Sequence, residues 1–156
     1  RLASPNVAQM LESIVAVAGD NRPRFKPLSR QAAALRAARM CYDHIAGRLG
    51  VGLADTLQTR GHIVITDETG EITEPGVRFL REFGVDLDTA QRRKRIFCRA
   101  CLDWSERRTH IGGAVGAALA GRCEQLGWTA RMRNSRALTI TPSGRRGLNE
   151  VFGLAF

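Results

Sequence analysis

An internal repeat is the feature that most restricts how this chain can fold. Residues 44–65 align without gaps on residues 110–131, and residues 72–80 align on residues 140–148 after a two-residue insertion. The two stretches share twelve identities in 31 positions, in the same order, including glycines and threonines suited to turns and helix caps. A conserved order of this kind is typical of a duplicated supersecondary unit. The fold must therefore accommodate two copies of one unit.

Each copy predicts a helix, a two-stranded hairpin and a closing helix. The residues expected to cap or end these helices occupy equivalent positions in the two copies: Asp43 and Thr109 before the first helix, Gly61 and Gly127 after it, Thr73 and Thr141 before the closing helix. This order of elements matches the second half of a winged-helix domain. The predicted fold is mostly α with two short β-hairpins, in which tandem winged-helix-like units follow an N-terminal helix.

The N-terminal helix is predicted from its ends and from its apolar spacing. Ser4 and Pro5 form a helix start, and Gly19 forms a stop. Between them one stripe recurs at helical spacing: Val7, Leu11, Ile14, Val15 and Ala18. An apolar stripe on a terminal helix favours pairing with a second copy, so we expect a homodimer.

Composition changes along the chain indicate the domain boundaries. Two prolines lie between residues 19 and 29, and Ser29 is expected to cap a second helix over residues 31–40. The predicted organisation is a dimerisation helix at 1–19, a linker at 20–29, a first repeat at 30–86, an inter-repeat segment at 87–108 and a second repeat at 109–156.

Positive charge is concentrated in the second half of the chain. Of the 24 basic and 15 acidic side chains, residues 1–91 hold eleven of each, so the formal charge of +9 lies entirely in residues 92–156. Nearly all the basic residues are arginines, which bind phosphates and carboxylates bidentately. We predict contacts with a polyanion or an anionic effector, unless the arginines reflect composition alone; the candidates are Arg92, Arg93, Arg95, Arg107 and Arg108.

Cysteine use and hydropathy indicate the compartment. Four cysteines in a chain with its own apolar core do not suggest a secreted disulfide scaffold. The longest weakly polar run, residues 111–121, is far shorter than the ~20 residues that cross a bilayer. We therefore expect a cytoplasmic protein with no membrane partner. The chain begins at Arg1 with no leader, and we expect it to be a fragment of a longer protein.

Three segments resemble bacterial regulators of the ArsR/SmtB type. Residues 1–7, RLASPNV, resemble the passage from the wing hairpin into the last, dimer-forming helix. CYDHIAGRLG at residues 41–50 and CRACLDWSERR at 98–108 resemble a long C-terminal extension found in one subgroup. The resemblance implies a DNA-binding repressor whose operator-reading winged helix lies upstream, leaving dimerisation and effector sensing to this chain. The alternative is a free-standing basic nucleic-acid-binding module.

A zinc site is one interpretation of the cysteines and histidines. Cys98 and Cys101 have the spacing that places two thiolates on one zinc ion. The remaining ligands would come from four candidates: His44, His110, Cys41 and Asp43. Both histidines are expected at the first position of equivalent helices, where the helix dipole keeps the imidazole neutral. Zinc is thus the cofactor the sequence suggests, and two structural histidines are the alternative.

Two other interpretations of the cysteine pair stay open. The basic residues around Cys98 would lower its thiol pKa, so that Cys98 and Cys101 could form a redox-switched disulfide between the repeats. The simpler alternative is two free cysteines with no role.

Aromatic residues suggest a different kind of effector site. Tyr42, Trp104 and Trp128 are candidates to line a pocket for a flat organic molecule, although such residues are commonly core or rim. No Ser/His/Asp set, phosphate loop or paired carboxylate of recognisable spacing occurs in the sequence, so we do not expect an enzyme.

Overall fold

The structure, a computed structural model, describes residues 5–18, 29–66, 69–92 and 94–156. Within these ranges the chain forms seven α-helices and eight strands, and the strands pair as four antiparallel hairpins. The elements follow in the order α1 (Pro5–Ala18), α2 (Arg30–Ala37), β1 (Arg39–Cys41), β2 (His44–Ala46), α3 (Gly47–Thr59), β3 (Ile63–Ile65), β4 (Gly70–Ile72), α4 (Glu74–Glu82), α5 (Leu87–Arg92), β5 (Arg99–Leu102), β6 (Thr109–Gly112), α6 (Gly113–Gln125), β7 (Thr129–Arg131), β8 (Leu138–Ile140) and α7 (Pro142–Phe152). Among the described helices, none is both long enough and apolar enough to cross a lipid bilayer.

The two copies of the repeat contain the same elements in the same order. The first unit is hairpin β1–β2, helix α3, hairpin β3–β4 and helix α4, and the second is β5–β6, α6, β7–β8 and α7. Gly47 and Gly113, which begin α3 and α6, both adopt a left-handed conformation, with φ of +75° and +79°. Thr73 and Thr141 cap the closing helices through their hydroxyls, as predicted. The similarity therefore extends from the sequence to the backbone.

Each unit packs on the other through reciprocal contacts. Arg39 on β1 forms a bridge with Ala137 of the second unit, and Arg99 on β5 forms the equivalent bridge with Thr69 of the first. Strands β2 and β6 lie side by side, with α6 packed on β2 and α3 on β6. The contacts between the two units are therefore reciprocal.

One apolar core serves both units. It is formed mainly by the buried faces of α3 and α6, together with side chains from the hairpins and from α7: Leu49, Leu53, Leu57, Ile63, Val115, Leu119, Ile140, Leu148 and Phe152. Ile45 of β2 and Ile111 of β6 belong to this core. Side chains from both units therefore hold these two strands in place.

The predicted fold class is wrong. Each unit begins with a hairpin that was not predicted, so the described residues form an α/β arrangement with four hairpins rather than a mostly α fold of tandem winged-helix-like units. Strands β1 and β2 have three residues each and are buried at every position, which removes the alternation that identifies a strand in a sequence.

The predicted helix boundaries change as a consequence. Asp43 lies in the turn between β1 and β2, and Thr109 is the first residue of β6, so neither caps a helix. Ser29 does cap α2, but α2 ends at Ala37 instead of continuing to Met40. The predicted N-terminal helix is present as α1, whereas its predicted start at Ser4, its stop at Gly19 and the linker up to residue 28 lie outside the described residues.

Candidate metal centre

Two cysteines and two histidines meet where the first hairpins of the two units pack together. Cys41 and His44 are directly opposed across β1 and β2, and Cys101 and His110 are directly opposed across β5 and β6. Opposed residues of an antiparallel pair project on the same face, so each hairpin presents one thiol and one imidazole together. The four ligand atoms all lie within 4.8 Å of one another.

Glycines on α3, β6 and α6 lie against the two histidines. A Cβ atom built on Gly50 of α3 would lie 3.5 Å from the Cβ of His110, and one on Gly116 of α6 would lie 3.1 Å from the Cβ of His44. A Cβ on Gly112 would lie 3.4 Å from Nε2 of His44. Each histidine is thus seated against a glycine of the other unit.

The four donors are enclosed, and both imidazoles have a ring nitrogen without a hydrogen-bond partner. Cys41, His44 and His110 are buried, and Cys101 is partly buried. The Nε2 atoms of both histidines are buried without a hydrogen-bond partner. A buried polar atom without a partner costs free energy, and such atoms commonly mark a missing ion or water.

A carboxylate lies beside the other ring nitrogen of each histidine. Nδ1 of His44 is 3.3 Å from Oδ1 of Asp43, and Nδ1 of His110 is 3.9 Å from Oδ2 of Asp103. A proton placed on Nδ1 would face the carboxylate and leave the Nε2 lone pair directed into the group. Carboxylates orient metal-binding histidines in this way.

The surroundings of the group favour charged forms of its members. The nearby Cys41 thiol and the two imidazoles lower the pKa of Cys101, although burial opposes this. Burial opposes a charge on His44, but its hydrogen bond with Asp43 and its closeness to Cys101 raise the pKa above the usual value. Independently of these shifts, two cysteine sulfurs and two imidazole nitrogens are the donor types of a soft metal site.

Cys98 lies outside the group, contrary to the prediction that it would act with Cys101. It precedes β5, and its Sγ faces β4, where a Cβ built on Gly70 would lie 2.6 Å away. Cys98 lies in a bend before β5, whereas Cys101 lies within the strand. Burial raises the pKa of the Cys98 thiol to about 11, opposite to the lowering expected from the nearby arginines.

The histidines occupy strands, not helix starts. His44 begins β2 and His110 is the second residue of β6, while α3 and α6 begin three residues later at Gly47 and Gly113. The predicted effect of the helix dipole on the two imidazoles is therefore wrong.

The equivalence of Cys41 and Cys101 was missed by the sequence alignment. Each is the third residue of an Arg-x-Cys triplet, Arg39 to Cys41 and Arg99 to Cys101, at the same place in its hairpin. The loop that follows is longer in the second unit, so an ungapped alignment that begins at the histidines excludes both cysteines. The repeated triplet is the signal that could have found them.

Asp103 was also missed, although it organises the longer loop. Its Oδ2 accepts hydrogen bonds from the backbone N–H of Gly47 at 2.6 Å and from Arg39 at 2.9 Å. Its Oδ1 accepts hydrogen bonds from Ser105 and from the backbone N–H of Glu106. Asp103 thereby joins the second hairpin to the N-terminus of α3, where a negative charge is favourable.

The arginines predicted to bind an anion have separate environments. Arg95 forms an ion pair with Asp43, and Arg108 forms one with Asp55 at 2.7 Å. Arg92 and Arg107 are exposed, and Arg93 lies outside the described residues. Contact of these arginines with a polyanion stays a prediction.

The three aromatic candidates lie in different surroundings. Tyr42 is 53% exposed in the turn between β1 and β2. The guanidinium of Arg39 lies over the Trp104 ring, and the Trp128 ring is 5.3 Å from that of Phe83. A cavity of about 270 Å³ between α5 and α6 is lined by residues other than these: Gly84, Asp86, Thr89, Ala90, Ala114, Ala117, Ala118, Gly121, Arg122 and Gln125.

Comparison with known proteins identifies a relative in Bacillus subtilis (strain 168). The chain is 37% identical over 145 residues to an uncharacterised HTH-type transcriptional regulator, YdfF. The similarity covers 93% of this chain and 64% of the relative, so the chain spans just under two thirds of the relative's length. No family model matches the sequence, and no solved structure matches it. The relationship supports a transcription-regulator family for this chain.

Proposed function

We propose that this chain is the dimerisation and effector-sensing portion of a bacterial, cytoplasmic DNA-binding regulator of the ArsR/SmtB type that acts as a repressor. The observation that carries the proposal is the 37% identity to an HTH-type transcriptional regulator over 93% of the chain. The operator-reading segment would belong to the part of the protein outside these 156 residues. Because the relative is named as a transcriptional regulator, a binding role is favoured over a catalytic one.

The arrangement of the units supports a sensing role. The four side chains of the candidate centre come from strands of both units, and those strands carry α3 and α6 against them. A ligand shifts a conformational equilibrium only by binding one arrangement more tightly than another. A ligand of this group would favour the arrangement in which the two hairpins are closest.

DNA binding by the full-length protein and by residues 1–156 tests the proposal. We expect the full-length protein to bind DNA upstream of its own gene selectively in gel-shift titrations. Residues 1–156 alone should bind weakly, without sequence preference and with strong salt dependence, because their net charge of +9 supplies only phosphate attraction. Tight, sequence-selective binding by residues 1–156 would contradict the proposal and favour the free-standing nucleic-acid-binding module.

The proposed dimer rests on the exposed apolar face of α1. Leu11 is 40% exposed and Ile14 is 54% exposed in the single chain, and Met10 and Val17 beside them are more exposed still. A contiguous apolar face of this kind commonly pairs with a second copy about a two-fold axis. We therefore place the proposed dimer interface on α1.

Leu11→Asp combined with Ile14→Asp should convert the dimer into a folded monomer. Two carboxylates in an apolar interface lose hydration without gaining partners, which opposes association. Sedimentation velocity measures the change. A matched control is Gln9→Asp with Ser13→Asp, which adds the same charge on the opposite side of α1 and should leave the dimer intact. A dimer that persists in the first variant would place the interface elsewhere.

A further inference from the structure

We infer that Cys41, His44, Cys101 and His110 bind one divalent transition-metal ion of the zinc class, which joins the first hairpins of the two units. The inference depends on the proposed function in one respect: it takes the metal ion to be the ligand that the regulator senses. Metal binding itself can be measured without DNA, so each idea can fail separately.

The spacing of the donors is close to that of a tetrahedral site. With Zn–S of ~2.3 Å and Zn–N of ~2.0 Å, the donors of a tetrahedral zinc site lie about 3.3 to 3.8 Å from one another. The two Sγ atoms here are 4.0 Å apart, and all four donors lie within 4.8 Å. A movement of about 1 Å would therefore complete the coordination sphere.

The unpartnered atoms are the ones such an ion would need. Nε2 of His44 and Nε2 of His110 are buried and lack a hydrogen-bond partner, while a carboxylate lies near Nδ1 of each ring. A histidine that donates from Nδ1 to a carboxylate and binds metal through Nε2 is the usual arrangement in metal sites. Coordination would satisfy both Nε2 atoms at once. The third unpartnered nitrogen, Nδ1 of His110, lies 3.9 Å from Asp103, and a small movement would give it a hydrogen bond to that carboxylate.

The donor types select the class of metal. Two thiolates and two imidazoles suit zinc and related ions, whereas magnesium and calcium need oxygen donors. On binding, the thiols release their protons to solvent, and the two thiolates balance the charge of the ion. Because each unit supplies one thiolate and one imidazole, binding ties the two units together.

Titration of the reduced, chelator-treated chain with Co²⁺ and then Zn²⁺ tests the inference. We expect one equivalent of Co²⁺ to produce the visible bands of a tetrahedral ion and a thiolate-to-cobalt charge-transfer band. Zn²⁺ should displace Co²⁺ and raise the melting temperature. These readouts need no variant, so they hold even if a ligand variant fails to fold.

Variants identify the ligands. Cys41→Ser and Cys101→Ser should each weaken or abolish the charge-transfer band, because each variant removes one of the two thiolates, whereas Asp43→Asn should weaken Co²⁺ binding by about 10- to 100-fold through His44. The matched control is Cys98→Ala, which removes a buried thiol outside the group and should bind Co²⁺ like the unaltered chain.

Three results would overturn the inference. The first is a folded, reduced chain that takes up neither ion stoichiometrically. The second is unchanged Co²⁺ binding in folded Cys41→Ser and Cys101→Ser variants. The third is purification of the chain with a Cys41–Cys101 disulfide that persists in reductant. If the full-length protein does not bind DNA selectively, that result would contradict the proposed function but not the metal site.

Discussion

Replacement of Asp103 by alanine is expected to destabilise the chain by about 3 to 5 kcal/mol, the usual cost of removing one member of a buried ion pair. Asp103 and Arg39 are fully buried, with Oδ2 of the carboxylate 2.9 Å from the guanidinium. Alanine would leave the Arg39 charge buried without its counter-ion. It would also remove the acceptor for the backbone N–H groups of Gly47 and Glu106.

Urea unfolding followed by circular dichroism measures this loss. The control is Glu106→Ala in the same loop. Because the Glu106 carboxylate is only partly buried, this change should lower the free energy of unfolding by less than about 1 kcal/mol. A double variant, Arg39→Met with Asp103→Leu, should recover only the part of the loss that comes from the unpaired Arg39 charge, because apolar side chains can replace a buried ion pair but cannot accept the hydrogen bonds of Gly47 and Glu106. Equal effects of Asp103→Ala and Glu106→Ala would contradict the central role assigned to Asp103.

Acid should weaken the same interaction. Burial opposes the charge of Asp103, but Arg39 and the hydrogen bond from Gly47 lower its pKa to about 2. A carboxyl group whose pKa is lower in the folded state stabilises fully above its unfolded value, ~3.9, and loses that effect as pH falls through the folded value. The free energy of unfolding should therefore fall between about pH 4 and pH 2. Asp103→Asn should flatten this part of the pH profile.

Gly116→Ala is the second change expected to have a large effect, a loss of about 1 to 3 kcal/mol or more from overpacking. A Cβ at Gly116 would overlap the carbonyl of Ile111 and lie 3.1 Å from the Cβ of His44. Backbone cannot move aside as a flexible side chain can. The strand β6 or the helix α6 would have to shift, and the His44 imidazole with it.

Gly121→Ala on the same helix is the matched control. A Cβ at Gly121 meets nothing within 4 Å, so alanine there should stabilise the chain by about 0.5 to 1 kcal/mol through helix propensity alone. Thermal unfolding of the two variants should shift in opposite directions. If both glycines accept alanine equally, the close packing of α6 on the hairpins is not what holds the candidate centre.

Features that depend on neighbouring residues were predictable from the sequence. The duplication, the capping of α4 by Thr73 and of α7 by Thr141, and the left-handed glycines after α3 and α6, Gly61 and Gly127, were all predicted and are all present. Caps and turns are decided within a few residues by backbone sterics and by one or two hydrogen bonds. The predicted caps at Asp43 and Thr109 failed where the chain forms the first hairpin of each unit instead.

Tertiary structure alone decided the first hairpin of each unit and the ligand set that these hairpins bring together. Strands of three or four residues are too short to show a clear alternating pattern, and β2 and β6 each pack on a helix of the other unit. Cys41 and Cys101 are 60 residues apart and meet only because the two units face each other. The CxxC spacing favoured Cys98 instead, because proximity in sequence says nothing about the face of a strand on which a side chain lies.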